Sequence, residues 1–157
     1  MILCTECYIQ QDGKTLMLFR NKKENDINKG KYIGLGGRFE PGESPEECLL
    51  REVREEAGVV LTNYRFRGMV TFLTKDEDSL PIYIFVFTAN SYEGTINDEC
   101  DEGELTWIET KKITEIPLWE GDHLLWKWLQ ADEGFFSAKF VYDGEKLVEW
   151  SCEGRGC

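Results

Sequence analysis

The feature that most constrains the fold of this chain is a helix whose two ends are both marked in the sequence. Ser44-Pro45-Glu46-Glu47 places a capping hydroxyl first, proline at the first helical position and glutamate at the third, which is a capping box. Gly58 supplies the stop signal, so the helix should span residues 45–57. Three apolar residues recur at four-residue spacing and should face the core: Leu49, Val53 and Ala57.

Most of the remaining chain has the pattern of β-strands. Apolar segments at residues 2–9 and 15–20 flank Gln11-Asp12-Gly13 and predict a hairpin. The other predicted elements are β-rich segments at 59–74 and 80–89, a short strand at 104–109, a helix at 121–131, and a hairpin of 135–142 and 146–150. This order predicts an α+β protein, with a mixed sheet packed between helices, in one domain over residues 1–157.

The chain is strongly acidic, with a formal net charge of −12 over 157 residues. Such a charge disfavours binding to a nucleic-acid backbone, which depends on lysine and arginine. The sequence has no apolar run of about 18 residues and no signal-like start, so we expect no membrane span and a cytoplasmic location. An acidic protein would also repel a polyphosphate substrate unless divalent cations stood between them. If the substrate is a polyphosphate, a metal site is therefore expected where its phosphates bind.

The six cysteines allow two interpretations. Cys4 and Cys7 could form half of a zinc site, with Cys152 and Cys157 as the other half, although a second close Cys-x-x-Cys pair is missing. Positions 4 and 7 would also point to opposite faces of a strand. We therefore expect reduced, mostly structural thiols, as is usual for a cytosolic protein.

Three carboxylates lie on one face of the predicted helix. Glu52, Glu55 and Glu56 stand at positions i, i+3 and i+4, within a face about 100° wide. Like charges this close destabilise a bare helix, and Mg²⁺, which prefers oxygen ligands together with waters and phosphates, would remove that cost. On the carboxylates alone, a solvated acidic face is the more frequent explanation of such a cluster.

The segment around these carboxylates resembles the Nudix box. The pattern G-x5-E-x7-R-E-U-x-E-E-x-G-U, in which U is aliphatic, is met at every position from Gly37 to Val59. Five residues separate Gly37 from Glu43, and seven more separate Glu43 from Arg51-Glu52. Gly58 follows the acidic pair Glu55-Glu56 after one intervening residue. The resemblance implies a Nudix fold, an α/β/α sandwich, and a hydrolase that cleaves a diphosphate linkage.

The same resemblance implies a metal site that holds Mg²⁺, with Mn²⁺ as a possible substitute. Its expected ligands are Glu52, Glu55, Glu56 and the backbone at Gly36 and Gly37, where the absence of a Cβ allows close approach. Arg51 should orient the carboxylates through charge-assisted hydrogen bonds. One acidic residue outside the box commonly completes such a site, and we expect Glu102, with Glu104 as second choice. Glu52 is our choice as general base, with Glu55, Glu56 and Glu102 as rivals.

Over nearly the whole chain the sequence resembles the MutT-type and oxidised-purine nucleoside triphosphatase branch. Trp119 could stack on a purine, Asp122 could bind its edge, and Lys23 could contact phosphate or the mouth of the pocket. Ile33 stands where that branch often has asparagine, and Gly121-Asp122 where it can have paired aspartates. The expected substrate-binding residues are Thr5, Lys23, Ile33, Leu35, Gly36, Gly37, Arg38, Trp119 and Asp122.

The resemblance leaves three functions open. The first is a pyrophosphohydrolase that releases a nucleoside monophosphate and pyrophosphate, with 8-oxo-dGTP or a related oxidised purine nucleotide as substrate, in sanitation of the nucleotide pool. The second is hydrolysis of another nucleoside diphosphate derivative. The third is a nucleotide-sensing module that binds without catalysis. The partner in each is a small nucleotide, and the sequence leaves the oligomeric state open.

Overall fold

The backbone forms nine strands, two α-helices and one 3₁₀ helix. The computed structural model describes residues 1–157. In chain order the elements are β1 (Ile2–Gln11), β2 (Lys14–Arg20), β3 (Tyr32–Ile33), α1 (Pro45–Ala57), β4 (Val60–Thr74), β5 (Ile82–Glu93), β6 (Glu99–Cys100), β7 (Gly103–Glu109), a 3₁₀ helix (Thr110–Glu115), α2 (Glu120–Ala131), β8 (Phe136–Asp143) and β9 (Lys146–Glu153). The predicted strands and both predicted helices are present, whereas β3, β6 and the 3₁₀ helix are too short to have been predicted from periodicity.

All nine strands belong to one mixed sheet. Its order is β6-β7-β2-β1-β5-β4-β8-β9, and β3 pairs with β2. The pairs β1–β5 and β4–β8 are parallel, and the other pairs are antiparallel. The first part of β1 does not pair with β2. There the glycine-rich segment after β3 pairs with β1 through two isolated antiparallel bridges, Cys7–Leu35 and Cys4–Arg38. This segment therefore reaches the end of β1 that lies beside α1.

The two faces of the sheet carry separate hydrophobic cores. Because neighbouring residues of a strand point to opposite faces, Cys7 and Phe87 pack with α1, whereas Tyr8 and Val86 pack with α2. The sheet thus lies between α1 and α2, and the predicted α+β class with its α/β/α layering is confirmed. No helix is both long enough and apolar enough to cross a membrane.

Helix α1 has the bounds that its caps predict. The Glu47 backbone N–H donates to Ser44 Oγ at 3.1 Å, and the Ser44 N–H donates to the Glu47 carboxylate at 2.8 Å. Gly58 ends the helix in the left-handed conformation at φ 76°, which few other residues adopt without strain. Leu49, Val53 and Ala57 are completely buried. The packing of these residues sets the rotation of α1 and places the carboxylates on the adjoining face, with Glu56 buried next to the apolar residues.

The expectation that all cysteines are reduced is wrong at the C-terminus. Cys152 and Cys157 form a disulfide. Their Cα atoms lie 5.9 Å apart, which is within the usual Cα–Cα range for disulfide-bonded cysteines. Gly154, at φ 106°, turns the chain after β9 and brings Cys157 back to Cys152. The C-terminal pair is therefore not half of a zinc site with Cys4 and Cys7, which are free thiols.

The cap of α1 generates a prediction about stability. Ser44→Ala removes the side-chain acceptor of the Glu47 N–H, and the free energy of unfolding should fall by about 1 kcal/mol. Urea denaturation followed by circular dichroism measures this change. Ser137→Ala, an exposed serine on β8, is the control, and equal losses in the two variants would contradict a capping role for Ser44.

Candidate active site

Four parts of the chain meet beside α1. The helix contributes its acidic face, the segment after β3 contributes Gly36 and Gly37, β1 contributes Thr5, and the turn between β6 and β7 contributes Glu102. The Thr5 backbone N–H donates to the Gly37 carbonyl at 2.9 Å and holds the glycine segment against β1. Residues far apart in the sequence are thereby brought together beside α1.

Glu56 is the most deeply buried of the three helix carboxylates. Its exposed fraction is 5%. The Gly36 backbone N–H donates to Oε1 at 2.7 Å, whereas Oε2 is buried without a hydrogen-bond partner. A buried, unpartnered carboxylate oxygen is costly, and each such atom in a folded protein needs a physical explanation. A proton or a cation at Oε2 removes the cost.

Glu102 lies beside Glu56. Ligand atoms of Glu56, Glu102 and Cys100 lie within 4.8 Å of one another, so three groups from α1, β6 and the following turn could share one ion. Burial, together with the nearby charge of Glu102, raises the pKa of Glu56 to about 9. Burial also raises the pKa of the Cys100 thiol, which favours the neutral form. The two carboxylates are therefore the oxygen ligands that a hard cation would use here.

Arg51 holds the neighbouring carboxylates in place. Its guanidinium donates to Glu43 at 2.5 and 2.9 Å, to Glu52 Oε1 at 2.8 Å, and to the Arg38 carbonyl at 2.9 Å. The hydrogen bond from Arg51 lowers the pKa of Glu43 to about 2, and Glu43 in turn raises the pKa of Arg51. Glu43, to which the sequence assigned no role, thus fixes the arginine that orients Glu52.

Glu52 and Gly37 face each other at close range. A Cβ placed on Gly37 would lie 2.5–2.7 Å from the atoms of the Glu52 carboxyl group, so any other residue there would displace this carboxylate. On Gly36 it would collide with the Thr5 carbonyl. Burial raises the pKa of Glu52, and the charges of Glu55 and Glu102 add to this while Arg51 opposes it. Glu55 remains mostly exposed, at 59% of its side chain.

A cavity of about 640 Å³ opens beside these carboxylates and extends toward α2. Its volume lies in the usual range for small-molecule sites. Among the predicted residues it is lined by Thr5, Ile33, Gly36, Gly37, Arg38, Glu52, Glu102, Trp119 and Asp122. The metal-binding and substrate-binding parts that the sequence predicts therefore adjoin one continuous space.

Two predicted substrate-binding residues lie outside this cavity. The Leu35 side chain is fully buried in the core beneath α1, because Leu35 pairs with Cys7 and points away from the opening. Lys23 is exposed, and its Nζ lies 3.9 Å from Glu102 Oε1. Leu35 is thus a core residue, whereas Lys23 stands near the carboxylates without lining the cavity.

Trp119 belongs both to the core and to the cavity wall. Its ring is 7% exposed and packs edge-on against Phe72 and Tyr142, as in ordinary core packing. Its indole N–H donates to Asn28 Oδ1 at 2.8 Å, and Lys31 Nζ lies 4.5 Å from its ring centroid. The indole is therefore held rigidly where it meets the cavity.

Glu6 and Asn28 also line the cavity, and sequence reasoning missed both. Glu6 Oε1 accepts hydrogen bonds from Tyr8 Oη at 2.8 Å and from the Gly34 N–H at 3.0 Å. Burial raises the pKa of both Glu6 and Asp122, and the charge of Glu6 raises that of Asp122 further. The strand pattern could have indicated Glu6, because an acidic residue at an inward position of β1 needs a partner or a ligand.

Comparison with known proteins places the whole of this arrangement in one family. The model of the NUDIX domain matches residues 5–147. An uncharacterised Nudix hydrolase, YvcI, of Bacillus subtilis is 32% identical, over 90% of this chain and 87% of its own. The oxidized purine nucleoside triphosphate hydrolase of Danio rerio is 29% identical, over 93% and 90%. A MutT protein from Bacillus halodurans shares the fold with a TM-score of 0.87 at 24% identity, over 98% of each chain.

The buried carboxylate of Glu56 generates a prediction about pH. The raised pKa means that the folded, metal-free protein holds a proton that the unfolded chain loses above its ordinary value of 4.5. This contribution to stability is full below about pH 4.5 and is lost as the pH rises toward about 9. Glu56→Gln keeps an acceptor for Gly36 and removes the titration, so the metal-free variant should lose less stability with rising pH.

Thermal melting in EDTA between pH 6 and pH 9 measures this difference, with roughly 2–4 °C expected for each kcal/mol. Glu55→Gln, on the exposed part of the same face, is the control and should follow the wild-type curve. Parallel curves for wild type and Glu56→Gln would contradict the assignment.

Proposed function

This chain belongs to the NUDIX domain family of hydrolases, and we propose that it cleaves nucleoside triphosphates to a nucleoside monophosphate and pyrophosphate with Mg²⁺, or Mn²⁺ in its place. Water cleaves the linkage between the α- and β-phosphates, so that one P–O bond of this linkage breaks and one P–O bond to the water oxygen forms. Hydrolases of this family generally use divalent metal ions. The observation that carries the proposal is the buried Glu56 carboxylate with its unpartnered oxygen beside Glu102 and Glu52.

The donor set suits a hard divalent cation. The buried Oε2 of Glu56 lacks a partner, Glu102 lies next to it, and Gly37 leaves open the space that a Cβ would take beside Glu52. Glu52, Glu56 and Glu102 would hold the metal, together with backbone of Gly36 and Gly37, and the more exposed Glu55 would complete the set. A metal bound there neutralises charge on the phosphates and lowers the pKa of a bound water.

The side chains themselves supply the proton transfer. We assign Glu52 as the general base, because its carboxylate lines the cavity beside the other carboxylates of the site. Arg51 donates to Glu52 Oε1 and is itself fixed by Glu43, so the carboxylate keeps one orientation. Glu52 takes the proton of the attacking water as the new P–O bond forms.

We further propose oxidised purine nucleotides, such as 8-oxo-dGTP, as the substrate class. Two carboxyl groups, those of Glu6 and Asp122, line the cavity beside Trp119. Guanine presents N–H donors on its edge, and 8-oxoguanine adds a further donor at N7, so the acceptor oxygens of these carboxyl groups favour it over a base that presents acceptors there. Ile33 offers no hydrogen bond, and we assign the recognition of the base to these carboxyl groups. The Danio rerio relative is named for hydrolysis of this substrate class.

Loss of the general base should abolish most of the activity. Glu52→Gln removes the proton acceptor but keeps the hydrogen bond from Arg51, so kcat should fall by about 10²–10⁴-fold while the fold is retained. Glu46→Gln, an exposed glutamate of the first turn of the same helix, is the matched control. Initial rates of pyrophosphate release measure both variants, and a loss in Glu52→Gln no greater than in the control would exclude this role.

A nucleotide panel with Mg²⁺ tests the substrate class. 8-oxo-dGTP should show a higher kcat/KM than dGTP, dATP and pyrimidine triphosphates. If the protein hydrolyses another diphosphate derivative faster than 8-oxo-dGTP, that derivative replaces oxidised purines as the proposed substrate. If it binds nucleotides but hydrolyses none of them, a sensing module is favoured.

The contribution of Trp119 is tested separately. Base stacking contributes about 1–3 kcal/mol, so Trp119→Ala should lower kcat/KM by roughly 5–150-fold, whereas Trp119→Phe, which keeps an aromatic face, should lose much less. Trp150→Ala, an indole 50% exposed on β9, is the control. Equal kcat/KM values for Trp119→Phe and Trp119→Ala, both folded, would assign Trp119 to the core alone.

A further inference from the structure

A second cavity, of about 360 Å³, lies at the other end of α2. It shares no lining residue with the cavity beside the carboxylates: Asp122 and Leu125 line that one, whereas Leu129, Gln130 and Asp132 line this one. Its walls come mainly from β4, β5 and the end of α2, and they are polar. The side chains that could bind a ligand are Arg65, Arg67, Asn63, Asn90, Thr88 and Gln130. We call this space the arginine cavity.

Arg67 is the central group of the arginine cavity. It is 6% exposed, and burial lowers its pKa. The guanidinium donates to Thr88 Oγ1 at 3.2 Å, to the Leu129 carbonyl at 3.0 Å and to Asp132 Oδ1 at 3.0 Å. A guanidinium carries five N–H donors, and Nε and one N–H of Nη1 make no hydrogen bond within the protein. These two unused donors of a nearly buried cation are available to a ligand that enters the arginine cavity.

The charges of the arginine cavity do not balance. Arg65 makes a two-point contact with Asp132, with distances of 2.9 and 3.1 Å, and the same aspartate also accepts from Arg67. Asp132 is the only acidic residue of the lining, so two arginines share one carboxylate and leave one positive charge in excess. The hydrogen bond from Arg65 lowers the pKa of Asp132, which keeps it ionised. A local positive excess is unusual in a chain with a net charge of −12.

Asp132 adopts an unusual backbone conformation to make these contacts. It ends α2 at φ 48° and ψ 46°, the left-handed region that glycine occupies more readily. The two arginines hold it there. The cluster also ties the end of α2 to β4, since Arg65 and Arg67 bind Asp132 and Arg67 binds the Leu129 carbonyl, and these contacts leave two donors of Arg67 free for a ligand.

We propose that the arginine cavity binds a small phosphate-bearing anion at Arg65 and Arg67. A tetrahedral phosphate presents oxygens in several directions, so it can accept from two guanidinium groups and from neighbouring amides such as Asn63 and Asn90 at once. The volume accommodates more than one phosphate group. Pyrophosphate, a product of the proposed reaction, is therefore a suitable probe, together with inorganic phosphate.

The test uses the full-length protein in EDTA, where the acidic catalytic site has no metal to hold an anion. Isothermal titration calorimetry with pyrophosphate and with phosphate measures the affinity, and NMR of the arginine Nε–H groups locates it. Wild type should bind, and the Arg67 Nε–H signal should shift on binding. Because the readout is binding without metal, its outcome is independent of the proposed hydrolysis.

The variant Arg65→Gln removes one cation from a side chain that is 61% exposed, so the fold should be retained. Its affinity for pyrophosphate should fall by about tenfold or more, as expected for loss of a charged hydrogen bond. Lys127→Gln, on the exposed side of α2 and outside the lining, is the matched control and should bind as wild type does. Arg67→Gln should abolish binding where thermal melting shows it folded.

Three outcomes would overturn the proposal. These are absence of binding to wild type, an affinity of Arg65→Gln equal to that of Lys127→Gln, and tighter binding of a planar dicarboxylate such as malonate than of either phosphate probe. The last would assign the arginine cavity to carboxylate ligands instead.

Discussion

The arrangement beside α1 depends on one energetically unfavourable group, the carboxylate of Glu56. It is buried with one oxygen bound to the Gly36 N–H and the other unpartnered, so it is stable only when it is protonated or bound to a cation. The caps of α1 fix its ends, its buried apolar residues fix its rotation, and the packing of the glycine segment against β1 brings the Gly36 N–H to Glu56. The surrounding packing holds this carboxylate in place, and under the proposed function a metal ion would bind it there.

The fold could be predicted wherever the signals are local. Ser44 and Gly58 mark α1 to the residue, and alternation along the strands gives the hairpins. Glu102 was expected only from the family resemblance. Its proximity to Glu56 arises when the β6–β7 turn folds over α1. The sequence alone contains no local signal for that approach.

The misses have a common physical origin. The role of Glu6 depends on which residues face it across the cavity, and the disulfide depends on the turn at Gly154 that returns Cys157 to Cys152. Leu35 was expected at the substrate from the family resemblance, but its backbone pairs with Cys7 and its side chain packs in the core beneath α1. Tertiary contacts decide each of these cases.

The two ends of α2 have opposite electrostatic character. Near its first turn Asp122 and Glu6 line one cavity, and beyond its last turn Asp132 is outnumbered by two arginines in another. Under the proposed function, cations held by Glu52, Glu56 and Glu102 would screen the phosphates of a nucleotide at the acidic end, whereas an anion at the basic end would need no metal. The two proposals together assign the protein one phosphate site that depends on metal and, in the arginine cavity, one that does not. Chelation would separate the two, because it would remove the first interaction and leave the second intact.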